Sequence, residues 1–242
     1  MQPLQQGPGA GAREAPPAPI RHRISAFLAA TISRFRIILL VILVAAAAFM
    51  VGYIIYSEIN KKLIADSTVL AEGAQDLSDK WQAEGDAAKK GSLEKQLLDQ
   101  LALLISRYPH QYGGQRGLFL RGNVYFEKKA WDDARKDYEA LAAGFPESYL
   151  APISLFDAGV CLEEKGDAVG AQKLYLQVSS SYKDSAVAPR ALFDAARIDE
   201  QRGSFEDAKK KYEQIDGLSP SSIWDKLAKN RVIALRVEGK VK

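Results

Sequence analysis

The chain has 242 residues, with 33 Lys and Arg against 30 Asp and Glu, and one cysteine. A single thiol excludes an internal disulfide and a thiolate metal cluster. Residues 1–56 hold five arginines and one glutamate, while the remaining residues carry 28 basic and 29 acidic side chains, a balance with no pull on a polyanion, so no nucleic-acid partner is expected.

Residues 1–20 contain Pro3, Pro8, Pro16, Pro17 and Pro19 with Gly7, Gly9 and Gly11. Such a segment cannot bury apolar surface and reads as a disordered tail. Residues 21–36 form a basic juxtamembrane segment, either a short interfacial helix or the lead-in to the apolar stretch at 37–56. Residues 1–36 are also Arg-rich and acid-poor, a composition shared with mitochondrial presequences.

Residues 37–56 read IILLVILVAAAAFMVGYIIY, twenty residues without a charge. As a helix they span roughly 30 Å, the thickness of a bilayer's hydrocarbon core. Tyr53 and Tyr56 lie at one end, where amphipathic rings favour the headgroup level, and Arg34 and Arg36 flank the other. Ala45-Ala46-Ala47 offers small residues for a signal-peptide cleavage site, but apolar sequence runs on for nine residues past Ala47. The reading is therefore an uncleaved transmembrane helix. Its arginine-rich N-terminal flank predicts a cytoplasmic N-terminus and a C-terminal part across the membrane. Residues 57–77 are expected to continue as a linker helix.

From there the chain repeats every 37 residues. Ala134, Ala171 and Ala208 recur at that interval, as do Tyr138, Tyr175 and Tyr212. So do Leu118-Phe119, Leu155-Phe156 and Leu192-Phe193, and the small residues Gly122, Gly159 and Ala196. Pro109, Pro146 and Pro220 share one register, with Lys183 at its remaining point, and Trp81 and Gly85 mark a weaker first copy. A fixed period of this size predicts stacked supersecondary units.

Each unit reads as two helices. The break between them falls at Ala130, Gly166-Asp167 and Gly203-Ser204, where glycine permits a left-handed residue and Asp167 or Ser204 can cap the second helix. Pro146 and Pro220 are expected to end the second helices. Four repeats result, at 78–109, 115–146, 152–183 and 189–220, with a capping helix and tail over 221–242. The predicted fold is all-α: one transmembrane helix, then an α-solenoid of helical hairpins.

These residues resemble the tetratricopeptide repeat (TPR) family, whose pattern is met in copy two by Leu118, Gly122, Tyr125, Ala134, Tyr138 and Pro146. Copy three supplies Leu155, Gly159, Leu162, Ala171 and Tyr175; copy four supplies Leu192, Ala196, Ala208, Tyr212 and Pro220, with Asp199 in place of the usual tyrosine. The 37-residue period, longer than the family's usual value of about 34, and the Ser-x-x-Ala-Pro run from Ser148 and from Ser185 look like bacterial envelope TPR proteins. The layout is most similar to the inner-membrane TPR subunits ancillary to the Sec translocon. The repeat style is also like that of Tol-Pal-associated division coordinators and outer-membrane assembly lipoproteins.

The resemblance implies that first helices line a concave, protein-binding groove. The groove positions map onto Arg116, Phe119 and Asn123, then Ile153, Phe156 and Val160, then Arg190, Phe193 and Arg197. A stripe of phenylalanines flanked by arginines suits peptide recognition, and equally suits an inter-repeat core. Of the family's carboxylate clamp only Asn123 is reproduced.

No catalytic constellation emerges. The histidines, His22 and His110, stand apart, and there is no metal-binding helix motif or phosphate-cradling loop. Cys161 shares a register with Val124 and Ile198 and reads as a small core residue. No enzyme activity, cofactor, metal or small-molecule substrate is expected. The expected partners are proteins or peptides at the groove, and the membrane at residues 37–56.

Overall fold

A computed structural model describes residues 20–242, with side chains from residue 35 onward. The expected tail over residues 1–20 lies, apart from Ile20, outside the described residues. Nine helices and no strand occur among them: α1 (Ile20–Ala83), α2 (Ala87–Arg107), α3 (Tyr112–Glu127), α4 (Trp131–Gly144), α5 (Leu150–Glu164), α6 (Ala168–Ser181), α7 (Ala188–Gln201), α8 (Phe205–Leu218) and α9 (Ile223–Val237). The chain divides into two compact units, Met1–Ile59 and Asn60–Lys242.

In the first unit, α1 is one uninterrupted helix, so residues 21–36 lead directly into the apolar stretch. Every residue of 37–56 is exposed, and the most apolar part of the helix has a mean hydropathy of 2.9. This helix is long and apolar enough to cross a membrane.

In the second unit, α3–α4, α5–α6 and α7–α8 form three successive helical hairpins, over 112–144, 150–181 and 188–218. The first hairpin begins earlier than the sequence suggests. Ser67, Ala71 and Ala74, on the stretch expected as a linker, are buried, as is Ser78 just after it, and Ala74 and Trp81 share a core with Leu97 and Leu101 of α2. Small side chains on α1 admit α2 closely, and Gln100 donates to the Leu70 carbonyl at 3.2 Å.

The glycine breaks form as expected, with Gly166 at φ 84° and Gly203 at φ 79°. Lys129 takes the same left-handed conformation, φ 59°, without being glycine. Asp167 caps α6 by accepting from the Gly170 amide at 2.9 Å, whereas Ser204 makes no side-chain cap on α8. Proline is not what ends the second helices. α6 stops in the same register as α4 and α8 although Lys183 replaces proline: the backbones of Phe145, Tyr182 and Ser219 each leave the helical region there.

The recurrent tyrosines explain the recurrent glycines. A Cβ on Gly122 would stand 2.6 Å from Cε1 of Tyr138, and one on Gly159 would stand 2.5 Å from Cε1 of Tyr175. The close approach is thus between a first helix and the tyrosine of its own hairpin. The main core joins Leu141, Leu155, Phe156, Tyr175, Val178 and Ile198, running from the second hairpin to the fourth. Among α2 to α9, every substantial contact joins helices adjacent in the chain or next but one.

Candidate protein-binding groove

First helices of neighbouring hairpins approach one another: α3 touches α5, and α7 touches α9. No two second helices make a comparable contact. The side on which neighbours come together is the inside of a curved stack, the face on which the groove is expected, although α5 and α7 make no contact comparable to these two.

The predicted groove residues divide by burial. Phe156 is 3% exposed and belongs to the core, its ring 5.0 Å from that of Tyr175. Phe119 and Phe193 are half-buried and pair with Tyr138 and Tyr212, at 6.2 and 5.1 Å between ring centroids. Ile153 and Val160 are half-buried against the same core as Phe156. Arg116 is occupied at the mouth of the array: its guanidinium donates to Gln75 of α1 at 2.6 Å and lies 5.9 Å from the Phe119 ring. Arg190 is exposed and spans two rings, 4.6 Å from Phe156 and 5.8 Å from Trp224, with Asp194 at 3.8 Å. The nine residues therefore do not form one uniform stripe. Phe156, Arg190, Phe193 and Trp224 gather towards the C-terminal half.

A polar rail runs beside them. The Tyr138 hydroxyl donates to Asn123 at 2.8 Å, that of Tyr175 to Glu163 at 2.9 Å, and that of Tyr212 to Glu200 at 3.2 Å. Burial raises all three phenols well above their ordinary range, so each hydroxyl keeps its proton and acts as a donor. Glu163 also accepts from Arg197 at 2.8 Å, and Arg197 reaches Asp194 at 3.2 Å. Glu200 accepts from Arg231 of α9, which holds its carboxyl below the usual range. Phe193, Arg197, Glu200, Phe205, Tyr212 and Arg231 border a cleft of about 370 Å³ at the end of this rail.

Sequence reasoning missed several of these groups. Glu163 and Glu200 are themselves 37 residues apart and were legible in the lattice. Trp224 and Arg231 come from α9, which has no counterpart in the repeat, and nothing in the spacing marks them. Cys161 is buried, and burial pushes its thiol up to about 12, so it stays protonated and unreactive at neutral pH.

An array of stacked helical hairpins defines an α-solenoid. Residues 116–148 match the Tetratricopeptide repeat family, a stretch that covers most of α3, all of α4 and the turn after it. No curated protein matches the chain. The match and the regular hairpins support a TPR-type scaffold, a class whose general role is to hold other proteins.

Proposed function

We propose that this chain is a single-pass, membrane-anchored TPR scaffold of the bacterial cell envelope. It binds polypeptide along the concave face, in a role ancillary to protein export or chaperoning. The observation that carries the reading is the presence, in one chain, of a fully exposed apolar stretch of twenty residues on α1 and an array of stacked helical hairpins. Arg190 on its two rings offers a flat cationic and aromatic surface, a type of residue pair that dominates protein interfaces. The arginine bias ahead of residue 37 favours an inner-membrane protein with a cytoplasmic N-terminus and a periplasmic array. The layout resembles the TPR subunits ancillary to the Sec translocon.

A photo-crosslinking residue placed at Asn123, Val160 or Arg190 in native membranes should yield protein adducts. The same residue at Lys173 or Lys210, exposed on second helices, should yield few. Equal yields from the two faces would remove the groove from the account. A cysteine at Ser221, labelled by an impermeant maleimide in intact spheroplasts, tests the periplasmic placement. Labelling only after lysis would reverse the orientation.

One observation favours a second reading, a structural role through self-association. The outer face of α9 exposes Ile223, Leu227, Ile233 and Val237, where the last helix of a solenoid ordinarily presents polar residues. A second copy would cover this face. Sedimentation of the detergent-solubilised chain should then show a dimer that Leu227→Glu dissociates. A monomer in both cases would end this reading.

A further inference from the structure

One carboxylate in the array differs from the rest. Every other buried or half-buried acid among the described residues has a hydrogen bond or ion pair. In the groove, Glu163 and Asp194 take Arg197, and Glu200 takes Arg231; behind it, Asp137 takes Arg121. Asp157, half-buried on α5, has no donor among the described residues. It lies at the middle of the array, where its charge is felt by Tyr138 of α4 and by Cys161 one turn along its own helix. Arg190 of α7 acts on it through its charge without an ion pair, and lies over the rings of Phe156 and Trp224 and beside Asp194. Asp157 also precedes Val160 by three residues, so the two lie on the same side of α5.

A carboxylate held out of water without a partner costs free energy, and protein interiors ordinarily supply the partner. The one cation whose charge acts on Asp157 among the described residues, Arg190, lies over two rings and beside Asp194. A donor brought by a bound partner would complete it. An anion is excluded by charge. A divalent ion is disfavoured because no group of three or more acidic, histidine or cysteine ligands gathers among the described residues. A basic side chain needs only one carboxylate.

We propose that Asp157 is the receptor for a basic residue, lysine or arginine, of the polypeptide that occupies the groove. This rests on the proposed peptide-binding groove and adds the chemistry of its ligand. Burial pushes the Asp157 carboxyl up to about 6, so at neutral pH it is still charged and poorly solvated, the state in which an incoming cation gains most.

The test uses the full-length protein in detergent micelles and a displayed library of random dodecapeptides. Wild type should select peptides with lysine or arginine at one fixed position. Replacing that residue by norleucine should weaken binding about tenfold, the loss expected for one charge-assisted hydrogen bond. Asp157→Asn should bind the basic and norleucine peptides equally, and Asp157→Lys should select acidic residues at the same position. Copies of the selected peptides acetylated at the N-terminus alone separate a side-chain cation from a free N-terminal amine: unchanged binding is expected, and loss on this acetylation would overturn the side-chain assignment. Circular dichroism should show Asp157→Asn folded and melting no lower than wild type. A lower melting point would reveal an internal partner and overturn the proposal. Binding without a basic preference, or a preference that survives D157N, would also overturn it while leaving the groove intact. If no peptide binds at either face, the groove reading falls and this inference with it.

Discussion

The ring of Tyr175 occupies the space that Gly159 leaves free, so closely that a Cβ there would meet Cε1 at 2.5 Å. The same relation holds between Tyr138 and Gly122. Tyr175 is also fixed at its far end by the bond to Glu163 and so has little freedom to retreat. Gly159→Ala should therefore destabilise the array by about 1–3 kcal/mol through overpacking, despite the helix propensity alanine adds. Copy four carries Ala196 at this point, so Ala196→Gly should lose only about 1 kcal/mol. Thermal melts of the two variants in micelles decide the comparison.

Lys129 stands at the lattice point filled by Gly166 and Gly203 and shares their left-handed backbone. A Cβ in that conformation costs about 1–2 kcal/mol. Its ammonium makes no ion pair among the described residues, whereas its neighbour Lys128 pairs with Glu94. Lys129→Gly is thus expected to stabilise the protein by up to about 1 kcal/mol, after the greater freedom of glycine in the unfolded chain is subtracted. A melting point that falls instead would show the lysine side chain to be engaged.

Asp157 gives the stability a definite pH dependence. Its carboxyl titrates near 6 in the folded chain, raised by burial from its ordinary 3.8 and opposed by Arg190. The folded state therefore favours the protonated form. That contribution is complete below about pH 4 and is lost as the pH rises through 6. Wild type and Asp157→Asn should match near pH 4, and the variant should be the more stable by about 1–3 kcal/mol at pH 7. A gap that does not open between these two pH values contradicts the burial of this group.

Arg231 and Glu200 tie α9 to α7. Glu200 is also held by the Tyr212 hydroxyl, so removing its charge loosens two contacts. Glu200→Gln should weaken the docking of α9 by about 1–2 kcal/mol, the pair being partly solvated. Hydrogen exchange should quicken over residues 223–237 and stay unchanged in α3 and α4.

Cys161 is fully enclosed beside Ala158 and Tyr138, and its thiol is pushed up to about 12. A maleimide at neutral pH should react only when the second or third hairpin opens. The labelling rate then reports that opening, and rapid labelling of the native protein would show the core to be looser than this packing implies.

The lattice made most of the array legible. Leucines, alanines and tyrosines at one interval disclosed each hairpin, because every copy solves the same packing problem. The first hairpin was half hidden: its inner face on α1 is built from Ser67, Ala71, Ala74 and Ser78, which carry little hydrophobic signal. The groove was less legible than the fold. Phe119, Phe156 and Phe193 share one register, yet only Phe156 is buried, packed into the main core with Arg190 lying over it. Asp157 replaces the core residue Leu120 of the preceding copy, a departure visible in the lattice whose meaning required knowing which neighbours lacked a free cation.

Contacts confined to near neighbours along the chain have a consequence for biogenesis. A hairpin emerging from the ribosome needs only the one before it to find its place, with no wait for a distant C-terminal segment. The array can therefore lengthen as it is synthesised, each turn of the stack templating the next. Under a mechanical load applied beyond α9 it would come apart in the reverse sense, hairpin by hairpin, with α9 leaving first.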